Sequence, residues 1–435
     1  MLVLAPLAAL AQDIPPTAAI LPAGTSATKI DSGDTAWLLM STALVMLMTP
    51  GLAMFYGGMV RRKNVLGTIM HSFIAIALVS IQWILFGYSL SFGPDVKGII
   101  GNLSWAGLSN VNIAPNADYA PTVPHLAFMI YQMMFAVITP ALISGAFAER
   151  IKFSSFLLFT AVWTTIVYDP VAHWIWGAGG WMKNLGVLDF AGGIVVHATS
   201  GFSALAAALY IGKREGFLHE HMPPHDLPMT VLGAGLLWFG WFGFNAGSAL
   251  SSGSLATMAF VTTHIAAVSA TLTWTFAEWI HRGKPTMFGA ATGAIAGLAT
   301  ITPAAGFVGP MPALFIGMAA GVLCYTALNA KTRFKYDDSL DAFGVHGVGG
   351  TLGTIMAGVF ASVAINAAGA NGLLFGNPKQ LAVQIGAVAL VAVYSFVVSL
   401  GLFKIIDLMM GLRVDAEQET EGLDISQHGE AGYTH

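Results

Sequence analysis

The sequence predicts an all-α polytopic membrane protein with eleven transmembrane helices. Of the 435 residues, 56% are hydrophobic and only 9% are charged, whereas a soluble domain carries about 25% charged residues. The hydrophobic residues also collect in runs of about 20, the length that an α-helix needs to cross a bilayer core of roughly 30 Å. The 18 basic and 22 acidic side chains can cover the two ends of a helix bundle, but not the surfaces of soluble domains of this total length.

Composition also excludes several other classes of protein. The net charge of −4 and the lack of a long basic stripe argue against a nucleic-acid-binding protein. A single cysteine, Cys324, rules out a disulfide scaffold. The 50 glycines form no G-X-Y repeat, so they indicate closely packed helices.

Apolar runs and basic residues give the number of helices and their direction. The apolar runs lie at residues 35–60, 65–92, 125–148, 153–176, 191–212, 228–250, 254–280, 286–305, 309–330, 342–364 and 379–406. Lys and Arg collect in cytoplasmic loops. With an external N-terminus, all of the 18 basic residues fall inside except Lys29, Lys97, Lys183 and Lys379. The sequence therefore predicts an external N-terminus and a cytoplasmic C-terminus.

Both ends of the chain differ from the helical part. Residues 1–11 form an apolar run that ends in Ala9-Leu10-Ala11, and we expect a cleaved signal peptide there; an apolar tail that is not cleaved is the alternative. Residues 12–34 are then an external segment and 35–410 the eleven-helix domain. Residues 411–435 are acidic, contain no apolar run and predict a soluble cytoplasmic tail.

Two histidines inside the predicted helices have matching surroundings. Ionisable side chains at this depth are costly, so each requires an explanation. His197 and His346 each lie early in a helix, the fifth and the tenth, beside small residues and after an aspartate (Asp189 and Asp341). A hydrogen bond to a neighbouring helix is the structural alternative for each histidine.

Matching positions in helices five and ten suggest two repeats of five helices, followed by an eleventh helix. An odd number of helices per repeat requires inverted repeats, related by a pseudo-two-fold axis in the membrane plane. This symmetry would bring His197 and His346 together near the midplane. A neutral imidazole can donate a hydrogen bond from one nitrogen and accept one at the other. The pair therefore predicts a pore for a small polar solute.

An aromatic cluster lies at the outer end of the sixth helix, at residues 238–248. Trp174 and Trp176 end the fourth helix on the same side, and Phe135 of the third helix faces that side. One interpretation is an interfacial aromatic belt without further function. The other is a site at which ring faces and the Ser248 hydroxyl bind a small cation. Composition leaves both interpretations open.

Several sequence motifs, in order along nearly the whole chain, resemble those of the ammonium transporter family (Amt/Mep), in its bacterial type. The motifs are GAFAER at 145–150, DFAGG at 189–193, GWFGFNAGS at 240–248, DAFGVHG at 341–347, GLRV at 411–414 and EGLD at 421–424. The resemblance implies a homotrimer in the cytoplasmic (inner) membrane, with one ammonium pore per subunit. It implies no cofactor, no metal and no enzymatic activity.

The resemblance also implies roles for particular residues. Trp176 and Ser248 look like the external recruitment site for ammonium, with Gln132 beside it. Phe135 and Phe244 look like a stacked gate below that site. His197 and His346 look like the pore pair, and Trp241 looks like a residue of the pore wall. Asp189 looks like a carboxylate with an electrostatic or structural role. The tail resembles the segment that regulates transport and binds PII signalling proteins in bacterial members.

Two alternatives come from other classes of protein. The first is a membrane enzyme in which His197 and His346 bind a metal or haem. A catalytic metal site usually has three protein ligands, and no Asp or Glu lies four residues from either histidine. The second is an ammonium sensor that signals through its cytoplasmic tail. The HEHMPPH segment at 219–225 is interpreted as a solvated loop rather than a metal site.

Overall fold

The computed structural model describes residues 29–433. The predicted signal peptide, 1–11, and most of the predicted external segment lie outside these residues. Within them the chain forms eleven apolar helices, which confirms the predicted all-α membrane class. The helices are α1 Ser32–Met59, α2 Arg62–Phe92, α3 His125–Phe147, α4 Phe153–Asn184, α5 Gly193–Ile211, α6 Leu227–Gly247, α7 Ser254–Arg282, α8 Met287–Ile301, α9 Pro310–Phe334, α10 Phe343–Phe360 and α11 Pro378–Met410.

The helices differ from the predicted runs mainly at their ends. α1 begins at Ser32, three residues early, because the Asp31 side chain accepts a hydrogen bond from the Asp34 amide and caps the helix. α8 is only 15 residues long and ends at Ile301, whereas the sequence predicts a helix to residue 305. Thr302 itself keeps helical backbone angles, but Pro303 has no backbone N–H with which to continue the hydrogen bonds of the helix.

Four helices contain π-helical turns, which often mark functional positions. Those in α2 and α4 span Trp83–Gly87 and Thr164–Tyr168. Those in α5 and α10 span Gly193–Ala198 and Phe343–Gly347, and each includes one of the two pore-candidate histidines.

The connecting segments contain only short elements. Two antiparallel ladders lie in the external loop after α2: β1 Asp95–Val96 with β2 Ile100–Gly101, and β3 Pro115–Asn116 with β4 Ala120–Pro124. Single 3₁₀ turns occupy Ala106–Leu108 and Leu373–Phe375, and another, Arg62–Asn64, forms the first turn of α2. The tail forms α12 Ala416–Glu421 and α13 Leu423–His428.

Glycines allow the helices to approach closely, as their number predicts. A Cβ at Gly233 of α6 would lie 2.3 Å from the amide nitrogen of Phe55 on α1. A Cβ at Gly317 of α9 would lie 2.0 Å from the Ser269 hydroxyl of α7. Backbone contact at this distance is how membrane helices gain van der Waals energy without a hydrophobic driving force between them.

A buried ion-pair cluster joins four of the loops that the basic residues place on the cytoplasmic side. The Glu149 carboxylate accepts from Arg61 Nε at 2.8 Å and lies 3.2 Å from Arg214 Nη1. Arg214 Nη2 lies 2.9 Å from the Asp337 carboxylate. Burial alone would raise the pKa of Glu149, but the Arg214 and Arg61 guanidinium groups outweigh it and hold this pKa below its usual value. Contact between these loops agrees with their predicted location on one side.

The tail packs against the same face. The Asp424 carboxylate accepts from the Gly67 amide at 2.8 Å, and the Leu423 amide donates to Asn64 Oδ1 at 2.8 Å. Glu419 bonds to the Arg413 guanidinium at 2.7 Å and accepts from the Glu215 amide. The tail is therefore a folded part of the face that carries the ion-pair cluster.

Replacing Glu149 by glutamine is expected to destabilise the protein by about 3–5 kcal/mol, because it removes the carboxylate partner of Arg61 and leaves Arg214 with Asp337 alone. Since the folded-state pKa of Glu149 is lowered, its contribution is present above the ordinary glutamate range and is lost as pH falls through the folded-state value. Thermal unfolding in detergent between pH 7 and 4 measures both effects. The matched control is E417Q in the exposed part of the tail, and equal melting temperatures for the two variants would contradict the prediction.

Candidate functional site

A cavity of about 180 Å³ opens at the end of the bundle opposite to the ion-pair cluster. Its lining includes all four of the residues predicted to recruit ammonium: Gln132, Phe135, Trp176 and Ser248. We call it the mouth cavity. Trp174, from the same aromatic group, points elsewhere, since its indole donates to the Ile99 carbonyl oxygen and packs on Tyr394.

Hydrogen bonds fix the polar groups of the mouth cavity. The Ser248 hydroxyl donates to the Phe244 carbonyl oxygen at 2.8 Å, which leaves the lone pairs of Ser248 Oγ available. The hydroxyl of Tyr131 lies 3.1 Å from the same Oγ. Trp176 Nε1 donates to the Asp189 carbonyl oxygen at 2.9 Å, so this N–H is satisfied outside the cavity. Gln132 Oε1 is buried and has no hydrogen-bond partner within residues 29–433.

Below the mouth cavity, two aromatic rings close the way inward. The rings of Phe135 and Phe244 stack with centroids 4.2 Å apart and planes inclined by 25°. Trp176 meets Phe135 edge-on, with centroids 5.9 Å apart. Both phenylalanine side chains are almost fully buried. The structure thus places the two residues of the predicted gate directly against each other.

The two histidines lie together on the inner side of this aromatic pair. Their ring centroids are 5.2 Å apart and their planes differ by only 12°. Trp241 lies 5.5 Å from His197 at 21°, held by a hydrogen bond from its indole to Thr302 Oγ1. The structure therefore brings together the two histidines and the tryptophan that the resemblance assigns to the pore.

The space around the histidines is narrow and apolar. It has a volume of about 10 Å³, which is close to the minimum that one water-sized molecule needs. Its other lining side chains are aliphatic or aromatic, among them Leu52, Ile138 and Leu237. Both ring nitrogens of His197 and Nδ1 of His346 are buried without a hydrogen-bond partner in the described part of the chain. Buried polar atoms left unpaired cost free energy, so these nitrogens indicate a ligand.

Asp189 explains how α5 can begin inside the bundle. Its two carboxylate oxygens accept four backbone N–H groups at 2.6–3.0 Å, those of Gly192, Gly193, Ile194 and Val195. These are the amides that a helix start leaves without internal partners. Of the two predicted roles for this carboxylate, the geometry supports the structural one, because the Asp189 side chain does not line the mouth cavity.

The equivalent aspartate in the second half is Asp338, not Asp341. Asp338 precedes His346 by eight residues, as Asp189 precedes His197, and its carboxylate accepts from the Ala342 and Phe343 amides. Asp341 forms an ion pair with Lys331. The match between Asp189 and Asp341 that the sequence suggested is therefore wrong. The aspartate that caps the helix start lies eight residues before the histidine in both halves, and Asp341 lies only five residues before His346.

The two histidine helices cross with matching contacts. A Cβ at Gly201, four residues after His197, would lie 2.1 Å from the amide nitrogen of Gly347. A Cβ at Gly350, four residues after His346, would lie 2.9 Å from the amide nitrogen of Ala198. In each helix, the glycine four residues after the histidine thus meets the amide of the residue that directly follows the histidine of the other helix.

Sequence reasoning missed several residues of the site. Tyr131, which contacts Ser248, adjoins Gln132 and could have been found from that position. Tyr119, from the loop between α2 and α3, and Lys183, from the last turn of α4, line the mouth cavity, and no periodic pattern marks them.

Comparisons with known proteins identify the class. A model of the Ammonium Transporter Family matches residues 36–433. The ammonium transporter of Bacillus subtilis is 52% identical over 402 residues, which are 92% of this chain and 98% of that protein. The crystal structure of Saccharomyces cerevisiae Mep2 superposes with a TM-score of 0.85 at 36% identity, covering 90% of this chain and 89% of that one. A structure described as a sensor Amt protein superposes with a TM-score of 0.83 at 29% identity, covering 91% and 98%.

A multi-pass helical bundle with a mouth cavity above a narrow buried space defines a membrane transport protein. The chain belongs to the ammonium transporter family. This confirms the predicted resemblance, and the curated relative is a transporter rather than an enzyme.

Replacing Gly201 by alanine is expected to reduce transport at least tenfold and to lower the melting temperature, because the new methyl group would push α5 away from α10 and move the histidines apart. The matched control is G386A, at an exposed position of α11 where a Cβ meets no atom within 4 Å. Transport assays in proteoliposomes and thermal unfolding provide the measurements. Normal flux through G201A would show that the crossing does not set the pore.

Proposed function

We propose that the protein recruits NH₄⁺ at the mouth cavity, removes one proton and conducts NH₃ through the space between the histidines. The observation that carries this proposal is the pair of buried imidazoles beside an otherwise apolar space behind the Phe135–Phe244 pair. Three of their four ring nitrogens have no hydrogen-bond partner among residues 29–433.

The side chains of the mouth cavity are suited to bind ammonium. Aromatic faces attract a cation through their quadrupoles, and Phe135 and Trp176 offer such faces. Ser248 Oγ and Gln132 Oε1 can accept hydrogen bonds from the N–H groups of ammonium. Ammonium would thus exchange part of its hydration shell for these contacts before it reaches the gate.

The apolar space beyond the gate favours neutral ammonia over the ammonium ion. A bare cation in an apolar cavity pays a very large desolvation cost, whereas neutral ammonia pays only that of a polar molecule. Stacked rings 4.2 Å apart leave no room for a hydrated ion. Ammonium therefore gives up its proton near the gate, and the proton either moves separately along the histidines or returns to the outside.

The histidines can then stabilise neutral ammonia. Each neutral imidazole has one N–H donor and one acceptor nitrogen, and ammonia has three N–H groups and one lone pair. Two nearly parallel rings with free nitrogens thus replace hydrogen bonds that ammonia loses on leaving water. Potassium has no proton to release, so the same passage rejects it.

Family membership supports the wider arrangement. We propose a homotrimer in the cell (inner) membrane, with one pore per subunit, an external N-terminus and two inverted five-helix repeats before α11. The matching glycine contacts of α5 and α10 support the repeats. Residues 35–410 are the transport domain and 411–435 the regulatory tail, whose packed surface offers a binding site for a PII-type protein.

An ammonium sensor is the second candidate. The sensor Amt protein reported above has the same fold. The tail of the present protein contacts the first cytoplasmic loop. Ammonium flux into proteoliposomes separates the two functions. A transporter carries saturable flux both as the full chain and when it is shortened after Gly411; a sensor binds ammonium with no flux in either form.

Replacing both His197 and His346 by alanine is expected to lower ammonium current at least tenfold or to admit potassium, because the passage loses its polar atoms and becomes wider. Current on a solid-supported membrane after ammonium and potassium pulses measures both effects. H264A, an exposed histidine of α7, is the matched control. Unchanged ammonium current together with intact potassium exclusion would contradict the mechanism.

A further inference from the structure

A positively charged side chain, Lys183, lines the mouth cavity. Two of its described lining residues are charged, Asp118 and Lys183. Lys183 Nζ donates to the carbonyl oxygen of Trp176 at 3.1 Å, and it stands 5.8 Å from the centre of the Tyr119 ring. The lysine ammonium group therefore lies at the rim of the cavity, attached to the backbone of the tryptophan that is proposed to receive the substrate.

The contacts of Lys183 hold it in a defined place. The Tyr119 hydroxyl donates to the Phe92 carbonyl oxygen at 2.6 Å and accepts from the Ala178 amide at 2.9 Å. The Tyr119 ring also stacks on Phe128 with centroids 5.0 Å apart. A fixed carbonyl oxygen and a fixed aromatic face thus bind the primary ammonium group, while the Lys183 side chain remains exposed to the outside.

A positive charge at the entrance of a cation site opposes binding, so its presence requires a reason. Asp118 alone would make the mouth cavity negative, and a negative cavity attracts divalent cations more strongly than monovalent ones, because Coulomb energy scales with the product of the charges. Lys183 balances Asp118 and leaves the cavity without net charge.

We propose that Lys183 is a specificity-determining residue that acts as a charge filter at the mouth. It lowers the affinity of the cavity for every cation, and it lowers it most for divalent cations. Recognition of ammonium then depends on the aromatic faces and hydrogen-bond acceptors rather than on net charge. This inference rests on the proposed recruitment of ammonium at the mouth cavity.

The test uses the full chain in proteoliposomes, with ammonium-induced current as the readout. At low ionic strength, K183Q is expected to lower the half-saturating ammonium concentration about three- to tenfold, as the loss of one nearby charge predicts. The difference should disappear at high ionic strength in choline chloride, since salt screens exposed charges. K183R keeps the charge and should restore the wild-type value.

Inhibition by calcium supplies a readout that a purely structural role of Lys183 would not change. Millimolar Ca²⁺ is expected to inhibit K183Q and to leave the wild-type protein and K183R unaffected. The matched control is K97Q, which removes an exposed lysine from the external loop outside the mouth cavity and should behave like the wild type.

Three results would overturn the charge filter. They are an unchanged half-saturating concentration for K183Q at low ionic strength, an equal shift for K183R and K183Q, and no calcium inhibition of K183Q. If K183Q does not reach the membrane, D118N is used instead, because it removes the negative charge of the mouth cavity. It is expected to raise the half-saturating ammonium concentration three- to tenfold, and no such increase would also overturn the proposal.

Failure of the recruitment site has a different signature. If ammonium does not bind at the mouth cavity, W176L leaves the half-saturating concentration unchanged. If W176L raises that concentration while K183Q has no effect, the recruitment site stands and the charge filter is wrong.

Discussion

The close crossing of α5 and α10 is the contact on which the rest of the site depends. Backbone meets backbone at Gly201 and Gly347, where no side chain fits. This contact sets the 5.2 Å separation of the two histidine rings. The helix starts before it are held separately, by the carboxylates of Asp189 and Asp338 eight residues before each histidine. The geometry of the histidine pair is thus a consequence of helix packing.

The buried polar groups of the bundle fall into two kinds. One kind is fully paired: Asp189 satisfies four backbone amides, and Glu149 bonds to two guanidinium groups. Such groups hold helices and loops in place. The other kind has no hydrogen-bond partner among residues 29–433 and includes the His197 nitrogens and Gln132 Oε1. Since unpaired polar atoms are costly in a low-dielectric interior, those at the mouth cavity and around the histidines are candidate contacts for a small polar ligand.

Sequence patterns predicted the fold well because they report local physics. Apolar runs predicted the eleven helices, and α8 and α10 were each five residues shorter than predicted. The repeated surroundings of His197 and His346 predicted their proximity before any coordinates. The choice of Asp341 over Asp338 failed because the motif places an aspartate before each histidine but does not say which carboxylate caps the helix. Tyr119 and Lys183 could not be predicted, since they meet each other at the mouth cavity from segments that are distant in sequence.

The small volume around the histidines has a consequence for how a proton could move through the protein. A space of about 10 Å³ holds about one water-sized molecule, and the stacked rings of Phe135 and Phe244 close its outer side. Protons move rapidly along unbroken files of water, and such a file cannot form here. Under the proposed function, a proton that crosses this space must therefore pass by way of the imidazole nitrogens of His197 and His346 and not along a file of water.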